Sequence, residues 1–433
     1  MKRWWLLAVA ALPAAGAVTF TRDVAPVLYR HCVSCHRPHE VAPFPLLSFE
    51  DARKRARQIA EISAQRRMPP WLPEPGYGDF ADERRLTARE LAVLAEWART
   101  GAAEGEAAVL PAPPVFSEGW RLGTPDAEVQ MAEAYPVAAE GPDEYRCFVI
   151  PLSLGSDRYV RALEFRPGNR KVVHHALFFT DNSRAARQRD AESPGPGYPC
   201  FGAPGFLPGP GLGGWTPGSK PVTQPEGVAS LVKKNATLVL QIHFHPTGKA
   251  EQEQSRVALY FTPEPPRRRL FDVALGSREI DIPAGARRYR VADSFTLPVA
   301  VDAVGIIPHA HYLCKEMRGY ALMPDGRKRW LLWIRDWNFD QQDQYRYQTP
   351  IRLPAETRLF LEFFYDNSSV NPRNPNRPPK RVLWGPDSSD EMAGLHVQVI
   401  PAREEDAGEL SQALWGKFMR TVGGSFYRKG ETK

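Results

Sequence analysis

The sequence lacks any long basic tract. It has 56 lysines and arginines against 50 acidic residues, for a net charge of +6, yet no basic run exceeds three residues, as at Arg267-Arg268-Arg269. Positive charge dispersed in this way is a solvated surface, so no nucleic-acid partner is expected. Long hydrophobic runs are missing too. Trp4 to Ala15 is apolar but shorter than the ~20 residues that cross a bilayer, and no later segment is apolar enough to do so, which excludes a membrane span from the mature chain. Cysteine is scarce: there are five, with one closely spaced pair and no second pair to complete a four-cysteine zinc site. Proline and glycine are abundant instead, 42 and 33 residues. Both interrupt helices and punctuate turns, which favours β structure. Aromatic residues at 11% and charged residues at 24% are those of a folded chain. A length of 433 residues exceeds one ordinary core and predicts several domains.

The N-terminus reads as an export signal over residues 1–17. Lys2-Arg3 is a positive n-region, the apolar stretch comes next, and Ala15-Gly16-Ala17 has the A-x-A form of a cleavage site, with cleavage after Ala17; an uncleaved anchor is the alternative. A periplasmic or secreted location is implied, and with it an oxidising compartment that permits a disulfide. Residues 18–107 read as a small helical domain. Val24, Val27 and Leu28 have helical spacing before the cysteine pair. Thr87-Ala88-Arg89-Glu90 is a capping box ahead of the stripe Leu91, Leu94, Ala95 and Ala98, and Gly101 stands at a C-terminal cap. A stiff Pro-rich linker spans 108–120. Beyond it come short β-prone runs, such as Cys147 to Leu152, Ala236 to His243 and Leu395 to Ile400, broken by turn residues. These predict two β-sandwich (jelly-roll-like) halves, 121–265 and 266–430, divided near Pro263-Glu-Pro-Pro266, where prolines cannot occupy a central strand.

Cys32-Val33-Ser34-Cys35-His36 has the C-x-x-C-H form. In it two thiols bond the haem vinyl groups and the histidine takes the proximal position on iron, so one covalently bound haem c is expected at Cys32, Cys35 and His36. Met68, before Pro69-Pro70, sits in a proline-stiffened loop from which a thioether reaches the far face of the iron and raises its potential. His31 and His39 are its rivals for that position.

Of the 10 histidines, three lie within eight residues of the haem cysteines. The others are His174, His175, His243, His245, His309, His311 and His396, and six of these seven form close pairs. In a strand, residues i and i+2 share a face, so His309 and His311 present two imidazoles side by side, as do His243 and His245. His174 and His175 are adjacent and would point to opposite faces unless a bulge intervenes. Imidazole suits copper, zinc and iron alike, whereas an added thioether favours copper. Met392 comes directly after Asp387-Ser388-Ser389-Asp390-Glu391.

These motifs, in order Tyr145-Arg146-Cys147, Val173-His174-His175, Leu240-Gln241-Ile242-His243-Phe244-His245-Pro246, His309-Ala310-His311 and Ser388-Ser389-Asp390-Glu391-Met392, resemble the copper type II, ascorbate-dependent monooxygenases. That group includes the peptidylglycine alpha-hydroxylating and dopamine beta-monooxygenases, and the resemblance covers about 140–400. It implies two copper ions. His174, His175 and His243 would hold an electron-transfer copper, while His309, His311 and Met392 would hold the oxygen-activating one and form the catalytic set. It also implies a Cys147–Cys200 disulfide, leaves Cys314 without a partner, and treats His245 as supporting or structural. The peptide-acting relatives hold a substrate carboxylate with an arginine and a tyrosine where this chain has Ile307 and His396, so a glycine-extended peptide is not the expected substrate.

The combined expectation is a periplasmic copper-dependent monooxygenase. It would hydroxylate a C–H bond of a small organic molecule with O2, and its electrons would arrive from a periplasmic donor through the fused haem. A non-catalytic haem and copper electron carrier or copper-binding protein is the alternative. A zinc hydrolase is a third reading; it would need Asp390 or Glu391 as a general base beside an open metal.

Overall fold

The computed structural model describes residues 17–38, 40–116, 119–206, 208–209 and 211–428. The export signal therefore lies almost wholly outside the described residues. The chain forms two compact units, one of residues 1–71 and 84–116 and the other of residues 72–83 and 117–433. The halves expected at 121–265 and 266–430 thus belong to one unit, which also takes in the segment 72–83. Among the described residues no helix is long and apolar enough to cross a membrane.

The expected fold, a small all-α cytochrome c domain followed by two β-sandwich halves, is corrected by the structure. The protein is mainly β, 34% strand against 18% helix, and among the described residues there is no distinct all-α domain at the N-terminus. The first unit is discontinuous in sequence and holds only short helices, Ala25–His31, Phe49–Arg53, Ala56–Ala64 and Ala88–Arg99. Irregular chain fills residues 32–38, 40–48, 65–71 and 84–87. Helical periodicity is real over those short stretches, but the prolines between them stop it from extending into a helical domain. The strands of the second unit fall into four principal antiparallel sheets, two of five strands and two of four. Alternation along the sequence identifies single strands, whereas their grouping is decided by pairing between distant segments, which periodicity does not report.

The first unit packs around Phe20, Leu28, Leu94 and Trp97, each at most 1% exposed. Its last helix begins with the capping box read from the sequence. Glu90 N–H donates to Thr87 Oγ1 (3.2 Å) while Thr87 N–H donates to the Glu90 carboxylate (2.8 Å), an arrangement that stabilises a helix by about 1 kcal/mol.

Two sheets of the second unit carry the candidate site. In one, Thr237–Phe244 runs between Glu144–Pro151 and Val173–Asp181, and all eight of its residues are buried. That explains its unbroken Leu238-Val239-Leu240 character, because a central strand covered on both faces needs no alternation. In the other, Val301–His309 lies between Gly394–Pro401 and Tyr345–Leu353. Cys147 and Cys200 form a disulfide with a Cα–Cα distance of 5.8 Å, the pairing that the resemblance implied.

Candidate metal centre

The strand ladder assembles His174, His175 and His243. His243 is the antiparallel partner of both Tyr145 and His175, and the register slips between His243 and Phe244, so that Phe244 pairs with Val173. His174 is the residue left over in that slip. It occupies a bulge, which re-aims its side chain toward the side on which His175 and His243 lie. The Nδ1 atoms of His174 and His243 each lie 3.3 Å from Nδ1 of His175. One ring nitrogen from each residue falls within 4.8 Å of the others. Three imidazoles that converge ring nitrogen on ring nitrogen, with no carboxylate between them, fit a single bound cation.

The surroundings keep the His174 and His175 rings neutral. Burial lowers His174 to about 3, with the neighbouring His243 adding to the effect, and burial takes His175 well below the ordinary histidine value. Tyr145 stacks on the His243 ring at 4.1 Å. Asp143 approaches His243 Nε2 at 3.1 Å as an ion-pair contact without hydrogen-bond geometry, and it accepts from His245 Nδ1 at 2.7 Å. Burial pushes the Asp143 carboxyl up, but His243, Ser388 and His245 outweigh it and hold the group well below the usual carboxylate range. His245 is therefore turned to Asp143 rather than to the cluster, in keeping with a supporting role. Through Ser388, Asp143 also ties this sheet to the loop that leads to Met392.

His309, His311 and Met392 are assembled differently. His309 ends its strand and His311 lies beyond it, so the pair does not share a strand face as the sequence predicts; the two ring centroids are nevertheless 5.3 Å apart. His309 Nδ1 meets Gln342 Oε1 at 2.5 Å and His311 Nδ1 meets the Asp390 carbonyl at 3.2 Å. With both Nδ1 atoms facing oxygen acceptors, each ring has Nε2 left for a metal. Burial lowers His309 to about 4 and His311 to about 3.

Glu391 locks this second set. Its carboxylate accepts backbone N–H groups from His311 (3.0 Å), Leu313 (2.6 Å) and Met392 (3.1 Å). Burial raises its carboxyl to about 8 against the pull of those N–H groups. Both oxygens face the backbone rather than open space, so Glu391 is a tie between two ligand segments and not a general base. Tyr365 O–H completes the arrangement by donating to the Met392 carbonyl at 2.7 Å.

One side chain touches both sets. Phe339, 4% exposed, stacks on His174 with centroids 5.0 Å apart and meets His311 edge-on at 5.5 Å. The same loop supplies Gln342 to His309, and Gln344 Nε2 donates to the Gly214 carbonyl at 3.1 Å. Gly214 permits that approach, since a Cβ there would lie 3.3 Å from Gln344 Nε2. Asp143, Phe339 and Gln342 were not legible in advance: a lone aspartate and a polar loop, Asp340-Gln341-Gln342-Asp343-Gln344, carry no periodic or motif signal.

In the first unit, Cys32 and Cys35 are free thiols, and burial pushes Cys32 up to about 12. His36 directs Nδ1 to the Phe44 carbonyl at 3.1 Å, which fixes the ring with Nε2 available, the orientation an axial haem ligand requires. Met68 is 40% exposed and so open to a ligand. Its rival His31 has Nε2 committed to Glu90 at 3.0 Å, and His39 lies outside the described residues. Thiol pair, imidazole and thioether are chemically suited to haem c.

No protein-family model matches the chain, and no curated protein matches it. Among solved structures, the infectious bursal disease virus VP2 subviral particle is similar at 10% identity over 64% of this chain and 73% of that one, with a TM-score of 0.20. A two-domain protein of unknown function from Bacteroides fragilis is similar at 9% identity over 62% and 94%, with a TM-score of 0.16. Likenesses at these scores carry no argument about fold or function.

Proposed function

We propose that the chain is an exported copper-dependent monooxygenase that hydroxylates a C–H bond of an organic substrate with O2, its electrons drawn from a periplasmic donor through haem c at Cys32, Cys35 and His36. The observation that supports the reading is the convergence of His174, His175 and His243, with the Phe339 ring stacked on His174 and edge-on to His311. When bound, the coppers supply one electron each and an open position for dioxygen, the two-electron capacity that hydroxylation demands beyond the substrate bond.

The chain's own residues prepare that chemistry. Burial keeps His174, His175, His309 and His311 unprotonated at neutral pH, so their lone pairs are available without proton release. Gln342 and the Asp390 carbonyl orient the second pair, Glu391 and Tyr365 hold the Met392 backbone, and Phe339 packs against both His174 and His311. The Cys147–Cys200 disulfide suits an oxidising compartment. A cavity that reaches His309 and Met392 is of use to an enzyme and superfluous in a simple electron carrier, which disfavours the carrier reading.

The test is metal content against haem, on protein matured where haem is attached, beside Met392→Ala and His174→Ala variants. Two coppers per haem, falling toward one in each variant, is the expected result. Absence of copper after reconstitution with Cu(I) overturns the proposal.

A further inference from the structure

The cavity beside the second set has a volume of about 610 Å³, within the usual range for small-molecule sites. One wall is the sheet face that carries Ala274 and His396, partners across the Phe271–Gly276 and Gly394–Pro401 strands. The opposite wall is the helix Ala407–Arg428, which contributes Leu414, Trp415 and Phe418. Trp415, Phe418 and Met419 are each at least 50% exposed, and the first two rings stack at 5.6 Å. Several large apolar groups left open on one helix beside a cavity mark a binding surface rather than a core.

The charges around the cavity are not balanced. Asp272 is engaged by His396 at 3.1 Å, and Lys417 is engaged by Asp293 at 2.7 Å. Arg278 lies over the Trp384 ring at 5.0 Å and, among the described residues, has no carboxylate partner. A guanidinium held on an aromatic face, with no protein counter-ion, is positioned to receive an anion from outside the chain. His309 and Met392 also line the space.

We infer that this cavity binds an apolar monoanion, a medium-chain or aromatic carboxylate whose hydrophobic body lies along Leu414, Trp415 and Phe418 and whose carboxylate meets Arg278. Such a molecule is the substrate class of the proposed monooxygenase, and its oxidation once bound rests on that reading. Binding itself needs no metal. The C-terminal helix is thus a wall of the substrate chamber, and its removal would leave the body of the ligand in water.

The experiment is calorimetric titration of the full chain, stripped of copper, with decanoate, decan-1-ol and decylamine. Decanoate is expected to bind at least about tenfold more tightly than decylamine, a difference of about 1.4 kcal/mol. Arg278→Ala should weaken decanoate by about tenfold and leave decan-1-ol unchanged. Ala274→Phe and Leu414→Trp, which fill the cavity from opposite walls, should each abolish both; Ala274 is an exposed strand position, so one variant survives if the helix tolerates no tryptophan. Unchanged decanoate binding in the folded filling variants, or equal affinity for decylamine, overturns the inference. Copper stoichiometry is read on the same preparations. No decanoate binding by the unsubstituted chain that nonetheless takes up two coppers defeats this inference alone, whereas decanoate binding by a chain that takes up no copper defeats the monooxygenase reading alone.

Discussion

The two imidazole sets achieve similar proximity by opposite means. His175 and His243 are held by strand pairing itself, in the middle of a five-stranded sheet, and a one-residue slip supplies His174. His309, His311 and Met392 come from a strand end and two loops, and their spacing depends on side chains that tie those loops together. A backbone ladder makes its geometry insensitive to any one side chain, whereas a tied loop concentrates the geometry in its ties.

The largest effect should come from cutting the main tie. Glu391→Ala strands three backbone N–H groups in a buried site and is expected to destabilise the protein by about 3–5 kcal/mol in urea unfolding. Glu391→Gln, which retains an acceptor, should lose about half as much. A loss under about 1 kcal/mol in the alanine variant would mean that the second set is not held this way.

Phe339→Ala comes next, at about 3 kcal/mol from loss of a buried ring. Because that ring touches both sets, copper affinity should fall at both together in a titration. Weakening at one set only would place the ring with that set and break the pairing drawn above.

Asp143→Asn should reduce copper affinity at the first set by about 10–100-fold, the usual effect of removing a carboxylate behind a metal-binding histidine. The second set should be touched less, through Ser388 alone. The competition assay that measures the first affinity measures both.

A separate effect is one of pH on the metal-free protein. His309 and His311 titrate near 4 and 3 in the folded state, lowered by burial, and near 6.5 when unfolded. The unfolded chain therefore binds protons first, so stability should be level above about pH 7 and decline as pH falls from 6.5 toward 4. Replacing both residues by glutamine should flatten that decline in thermal melts, and an unchanged slope would assign it to other groups.

The first imidazole set was legible because histidines are chemically distinctive and clustered in sequence: His174, His175 and His243 converge as the resemblance implied, whereas His309 and His311 lie close without sharing the strand face expected of them. The need for a bulge at His174-His175 could be stated in advance, since period-two alternation forbids adjacent residues on one face. The supporting residues were not legible. Asp143, Phe339 and Gln342 act through contacts with segments far away in sequence, and nothing in their neighbours announces them. Glu391 was visible only as a candidate base; its bonds to three backbone N–H groups depend on a loop closure that no local pattern encodes. The fold fared in the same way, with single strands such as Thr237–Phe244 read from composition while their assembly into four principal sheets, and the absence of a separate all-α domain, lay beyond periodicity.

If the three imidazoles take up a metal as proposed, the slip at His174 would make that uptake a proofreading step. A chain paired one residue out of register would carry His174 away from its two partners and offer only a two-imidazole site. Correctly paired chains alone would gain the stabilisation of tight metal binding, RT ln(1 + [metal]/Kd), which reaches about 4 kcal/mol at a thousandfold excess over Kd. Supply of metal during maturation would in that way enrich the native pairing over its nearest misfolded competitor.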